Sequence, residues 1–130
     1  MAASSGSLHE NEQSLKPETI DRHRAIVSIM EELEAIDWYD QRVDAATDAE
    51  LKGLLAHNRD EEKEHASMML EWLRRRDAKL NEHLRTYLFT TGPITEVEAA
   101  AEAAAAPAPR PVIVVRTSSL GIGSLRGEGL

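Results

Sequence analysis

Two long stretches with the 3.6-residue period of a helix are separated by only a few residues, which restricts the chain to a narrow set of folds. From Pro17 to about Ala46, one stripe carries Ala25, Ile29, Glu32, Ile36, Tyr39 and Val43, broadened by Ile26, Met30 and Leu33. A second stripe carries Leu51, Leu55, Asn58, Glu62, His65, Met69 and Trp72, and ends at Arg74-Arg75-Arg76. Thr47-Asp48-Ala49-Glu50 has the form of a capping box and marks the start of the second helix. A link this short makes the two helices pack antiparallel. Each has roughly 28 residues, or about 42 Å at the standard helical rise.

The flanks divide the remainder. Residues 1–15 are Ser, Gly, Glu and Asn with little to bury, and are expected to be disordered. Pro17 suits a first helical turn, with Ser14 or Thr19 as the expected cap. The helical domain spans residues 16–93. Gly53 weakens the second helix without breaking its pattern. Asp77 can cap a third, shorter helix with Leu80, Leu84, Tyr87 and Leu88 on one face, stopped by Thr91-Gly92-Pro93. Residues 94–111 are rich in Ala, Pro and Glu and read as a linker. Residues 112–130 form an apolar tail that reads as a docking peptide for a groove on a partner.

Composition excludes several classes. A formal charge of -8 makes a nucleic-acid partner unfavourable. Without cysteine there are neither disulfides nor thiolate metal sites, which suits a cytoplasmic protein. No apolar run approaches membrane-spanning length, and the first residues lack a signal-peptide core.

The polar residues within the stripes point to chemistry. Glu62 and His65 share one helical face, and Glu32 falls independently on the facing stripe. A carboxylate among apolar side chains is costly unless it is paired or ligates a metal. Two antiparallel helices also cannot cover their own apolar faces, whereas two copies related by a two-fold axis build a four-helix bundle. Two copies bring together four carboxylates and two imidazoles. This is the donor set of a ferritin-like di-iron site. The expected fold is all-α: an antiparallel two-helix hairpin plus a short third helix, completing a ferritin-like four-helix bundle only on dimerisation. Tyr39, two stripe steps beyond Glu32, is placed to hydrogen-bond a ligating carboxylate or donate an electron; a core aromatic role fits it equally. Two further clusters flank the stripes. His57, Glu61 and Glu64 lie beside the second stripe, where a solvated charged face is the simpler reading. Glu31, Glu34 and Trp38 share a face of the first helix away from the core, suiting a second subunit contact with a divalent cation between like charges.

The runs Arg22–Ser28, Met30–Tyr39 and Ala56–His65, together with the tail Ser119–Gly127, resemble the encapsulated ferritins. The resemblance implies a ferroxidase that oxidises Fe(II) with O2 at an inter-subunit di-iron centre. It matches Glu32, Glu62 and His65 to the iron ligands and Tyr39 to a residue beside them. It also implies an ion site, with calcium as the candidate, at Glu31 and Glu34 near Trp38, and an outer metal site at His57, Glu61 and Glu64. It further implies homodimers assembled into a decameric ring, and docking through Leu120, Ile122 and Leu125 to an encapsulin shell that stores the mineral. Two alternatives stand beside this: a rubrerythrin-like peroxide reductase, for which the rubredoxin cysteines are absent, and a non-enzymatic acidic helical adaptor.

Overall fold

The computed structural model describes residues 6–114. Its long elements are α1 (Pro17–Ala45) and α2 (Ala49–Arg74), which pack against each other as the expected antiparallel hairpin. Two shorter helices, α3 (Ala78–Tyr87) and α4 (Ile94–Ala105), follow in line, and the described residues contain no strand. Among the described residues, no helix is long and apolar enough to cross a membrane.

Local chemistry accounts for most boundaries. The Asp48 carboxylate accepts a hydrogen bond from the Leu51 amide, and Asp77 does the same for Leu80. Each satisfies one of the amides left unpaired in a first helical turn. Arg42 and Arg74 sit in the last turns of α1 and α2, where a cation complements the helix dipole. Arg74 also ties α2 to α3: it is bound bidentately by Glu71 through Nε, and its Nη1 donates to Asn81 Oδ1 at 2.6 Å.

The structure departs from the sequence reading in five places, the first being that Asp48, not the Thr47 of the expected capping box, caps α2. The α1 cap position is Lys16, which offers no side-chain acceptor; neither Ser14 nor Thr19 caps, and Pro17 opens the helix on its preset φ. Within the expected irregular N-terminal stretch, Glu12–Ser14 forms a 3-10 turn whose Asn11 side chain accepts from the Gln13 amide. α3 ends at Tyr87, before Thr91-Gly92-Pro93, because Phe89 turns the chain with a left-handed φ of 61°. The expected linker is helical from Ile94 to Ala105. Alanine and glutamate carry high helix propensity without needing an apolar period, and Ala106 precedes Pro107, where a helix must stop.

The hairpin has almost no core of its own. Only Ala25 and Leu73 are buried among the described residues. Large apolar side chains remain in water on both long helices: Ile26, Met30 and Leu33 on α1, and Leu51, Leu54 and Met68 on α2, with Leu33 at 55% and Met68 at 63% exposure. Uncovered apolar area on this scale is a contact surface.

Gly53 lies inside α2, and a Cβ built there meets nothing within 4 Å. Gly53→Ala is therefore expected to stabilise the protein by about 1 kcal/mol. A raised thermal midpoint by circular dichroism is the expected result, and a lowered one contradicts this account of α2.

Candidate metal centre

One group of residues in the described part of the chain gathers the donors for a cation. Glu32 from α1 meets Glu62 and His65 from α2, with one potential ligand atom from each lying within 4.8 Å of the others. Glu62 and His65 are three residues apart on one helix, so both project from the same face toward α1. His65 Nδ1 lies 3.1 Å from Glu62 Oε2 and 3.9 Å from Glu32 Oε2. The carboxylate side chains are 26% and 23% exposed, while the imidazole is 51% exposed. The stripe position predicted burial for all three. In one chain they are half-covered, because the hairpin shields the cluster from one side only.

The protonation pattern follows from this crowding. Hydrogen bonding to Glu62, partial burial and the negative charge of Glu62 push the Glu32 carboxyl above its ordinary range. Glu62, hydrogen-bonded by Glu32 and then by His65, is held below the ordinary carboxylate range. His65 is raised, chiefly through its hydrogen bond with Glu62. Two carboxylates this close favour sharing a proton, and a positive charge on His65 is favoured beside them. A divalent cation replaces both. Carboxylate oxygens and an imidazole nitrogen suit iron, manganese or zinc, and three donors leave open coordination positions. The donor set therefore fits half of a two-metal site.

The other residues singled out from sequence are not drawn into this cluster. Tyr39 is half-buried on α1, with the Arg42 guanidinium over its ring at 5.4 Å from the centroid. Glu31 and Glu34 are exposed, and within one chain no third acid or histidine joins them. Trp38, 49% exposed, lines an open groove with Gln41, Arg42 and Ala45. His57 pairs with Glu61 at 3.0 Å along α2, but Glu64 stands apart beside Ser67, Met68 and Trp72. Leu120, Ile122 and Leu125 lie outside the described residues. Arg59, one turn before Glu62, was not singled out. It crosses to α1 and pairs with Asp40 at 2.9 Å. Its position on the cluster's face of α2 was the available signal.

Fold and donors together define a helical-hairpin protein with a carboxylate–histidine cluster open on one side. The chain belongs to the EncFtn-like family, whose model matches residues 7–91. It is 66% identical to the encapsulated ferritin-like protein of Rhodospirillum rubrum, over 98% of this chain and 94% of the relative. It is 38% identical to the encapsulin nanocompartment cargo protein EncC of Myxococcus xanthus, over 77% of this chain and 80% of the relative. A crystal structure of a protein from Nitrosomonas europaea superposes with a TM-score of 0.66 at 60% identity, covering 67% of this chain and 96% of that one.

A cation entering this cluster has to displace its protons. Cobalt(II) titration is expected to release fewer protons as the pH rises past the raised His65 range, because the free protein has by then lost that proton. Paired calorimetry in buffers of different ionisation enthalpy reads this directly. Proton release that does not change with pH contradicts the assignment.

Proposed function

We propose that this protein is a ferroxidase: it oxidises Fe(II) to Fe(III) with O2 at a di-iron site shared by two subunits, and it delivers the iron for storage inside an encapsulin shell. The observation that carries this reading is the meeting of Glu32, Glu62 and His65 across the hairpin, with their open side facing solvent. A second copy, related by a two-fold axis, covers that side and adds an identical set of donors. The uncovered apolar residues beside the cluster, Leu33 and Met68 among them, support such a contact. Exposed Trp38 supports a further one, in keeping with dimers assembled into a decameric ring.

In this reading iron is the substrate. Glu32, Glu62 and His65 from each subunit would hold the two ferrous ions, with Glu32 as the carboxylate shared between them and Glu62 and His65 completing each ion's donors. The carboxylates supply hard, anionic donors that favour the ferric product's charge. Each ferrous ion yields one electron to dioxygen. The protons displaced from Glu32 and His65 on iron entry leave to solvent. Tyr39, two turns after Glu32 on α1, would serve as a hydrogen-bond partner or electron donor once the second subunit closes the site. His57, Glu61 and Glu64 form an outer cation-collecting face, and Glu31 and Glu34 hold a calcium ion between subunits near Trp38.

The names of the relatives support the cellular setting. The Rhodospirillum rubrum protein is called encapsulated and the Myxococcus xanthus protein is called an encapsulin cargo, which supports a cytoplasmic setting inside an encapsulin nanocompartment for this chain. Residues 112–130, with Leu120, Ile122 and Leu125 as anchors, are the proposed docking peptide.

Glu32→Ala, Glu62→Ala and His65→Ala are each expected to slow Fe(II) oxidation by about a hundredfold while leaving helicity intact. Ferric absorbance after anaerobic loading and oxygen exposure measures this; wild-type rates in the triple variant would overturn the proposal. Deleting residues 119–130 is expected to leave oxidation unchanged and to abolish co-purification with the shell protein. Retained co-purification would show that docking lies elsewhere.

A further inference from the structure

Two ion pairs join α1 to α2 among the described residues: His65–Glu32, within the cluster, and Arg59–Asp40. The second is the tighter, with Nη1 at 2.9 Å from Asp40 Oδ1. The same guanidinium donates through Nε to Asp60 on its own helix at 3.0 Å, and Lys63 Nζ braces Asp60 at 3.0 Å. The Arg59 side chain is only 23% exposed, so its stem is packed along the hairpin while its head is held from both helices.

The placement matters more than the strength. Arg59 precedes Glu62 by one turn on the same face of α2. Asp40 follows Glu32 by eight residues, about 12 Å along α1. Because the helices are antiparallel, moving along α1 from Glu32 to Asp40 means moving back along α2 from His65 toward Arg59. The buried apolar residues lie the other way, with Ala25 seven residues before Glu32 and Leu73 eight residues after His65. The cluster therefore sits between a packed apolar end and an ionic tie.

Apolar contact is not directional and leaves two helices free to slide or roll. A slip of a single residue is about 1.5 Å, far beyond the roughly 0.5 Å within which a metal site has to be held. A planar guanidinium fixed at two nitrogens by carboxylates on different helices opposes both motions. Charge does not explain the arrangement. A cation one turn from a site for cations is unfavourable, and here two cations are matched by two aspartates, so the group adds no net charge.

We propose that Arg59 and Asp40 are positioning residues: their pair sets the register of α1 on α2 that brings Glu32 to Glu62 and His65. This inference rests on the metal reading of that cluster.

The test is cobalt(II) affinity, followed by the visible spectrum of bound cobalt, in full-length Arg59→Met, Asp40→Ala, the double variant and Arg59→Lys. Methionine keeps the aliphatic stem and so spares the packing. A positioning pair predicts that Arg59→Met, Asp40→Ala and the double variant all weaken cobalt binding by the same factor, about tenfold or more, with an altered spectrum. Lysine retains the cation and the reach to Asp40, and is expected to restore most of the affinity. Charge alone predicts the opposite sign for Arg59→Met, because removing a cation tightens binding of another. Tighter or unchanged binding in Arg59→Met, or losses that simply add in the double variant, overturn the inference while leaving the metal centre standing. If the wild type gives no cobalt spectrum, the metal reading fails and this inference fails with it.

Discussion

The structure depends on the cost of holding two carboxylates together at the seam of a helical hairpin. Glu32 and Glu62 face each other from different helices, and the His65 imidazole beside both offsets part of their repulsion. Left uncompensated, like charges at this spacing would push the helices apart. Everything around the cluster works to hold it. The Asp48 cap fixes where α2 begins, and Arg59 ties α2 to α1 at Asp40. The apolar faces on either side remain uncovered by the described residues.

That last feature separates this hairpin from an ordinary small domain. A chain of this size normally buries a core large enough to offset the entropy of ordering it. Here two long helices leave Leu33, Leu54 and Met68 more than half exposed. Stability and site completion are therefore expected to arrive together, when a second copy covers the same face that presents Glu32, Glu62 and His65.

Where structure is local, it was legible in the residues. The hairpin follows from two helical periods and a short link; Asp77 caps as its position predicts, and α2 begins where the capping box lies, though Asp48 rather than Thr47 is the cap. The cluster was legible for a related reason: two acids and an imidazole sat in stripes that are largely apolar, and helical geometry left them facing each other. The helix at Ile94–Ala105 was not legible by that method, because an Ala-rich segment carries propensity without an apolar stripe. The break at Phe89 was hidden too, since nothing in a phenylalanine signals a left-handed backbone. The Arg59–Asp40 pair was not legible, because an ion pair between residues nineteen apart exists only once the hairpin has formed. The half-exposure of His65 was equally invisible, as a stripe position does not reveal which parts of the stripe a single neighbour covers.

The central claim is that two subunits close around a pair of ferrous ions held by Glu32, Glu62 and His65. Native mass spectrometry of the protein with and without anaerobic Fe(II) tests it most directly. The account predicts that iron drives chains into even-numbered assemblies carrying two iron ions per pair of chains, a stoichiometry lost when Glu32 is replaced by alanine. Iron bound to single chains, with no change in assembly and no dependence on Glu32, would contradict it.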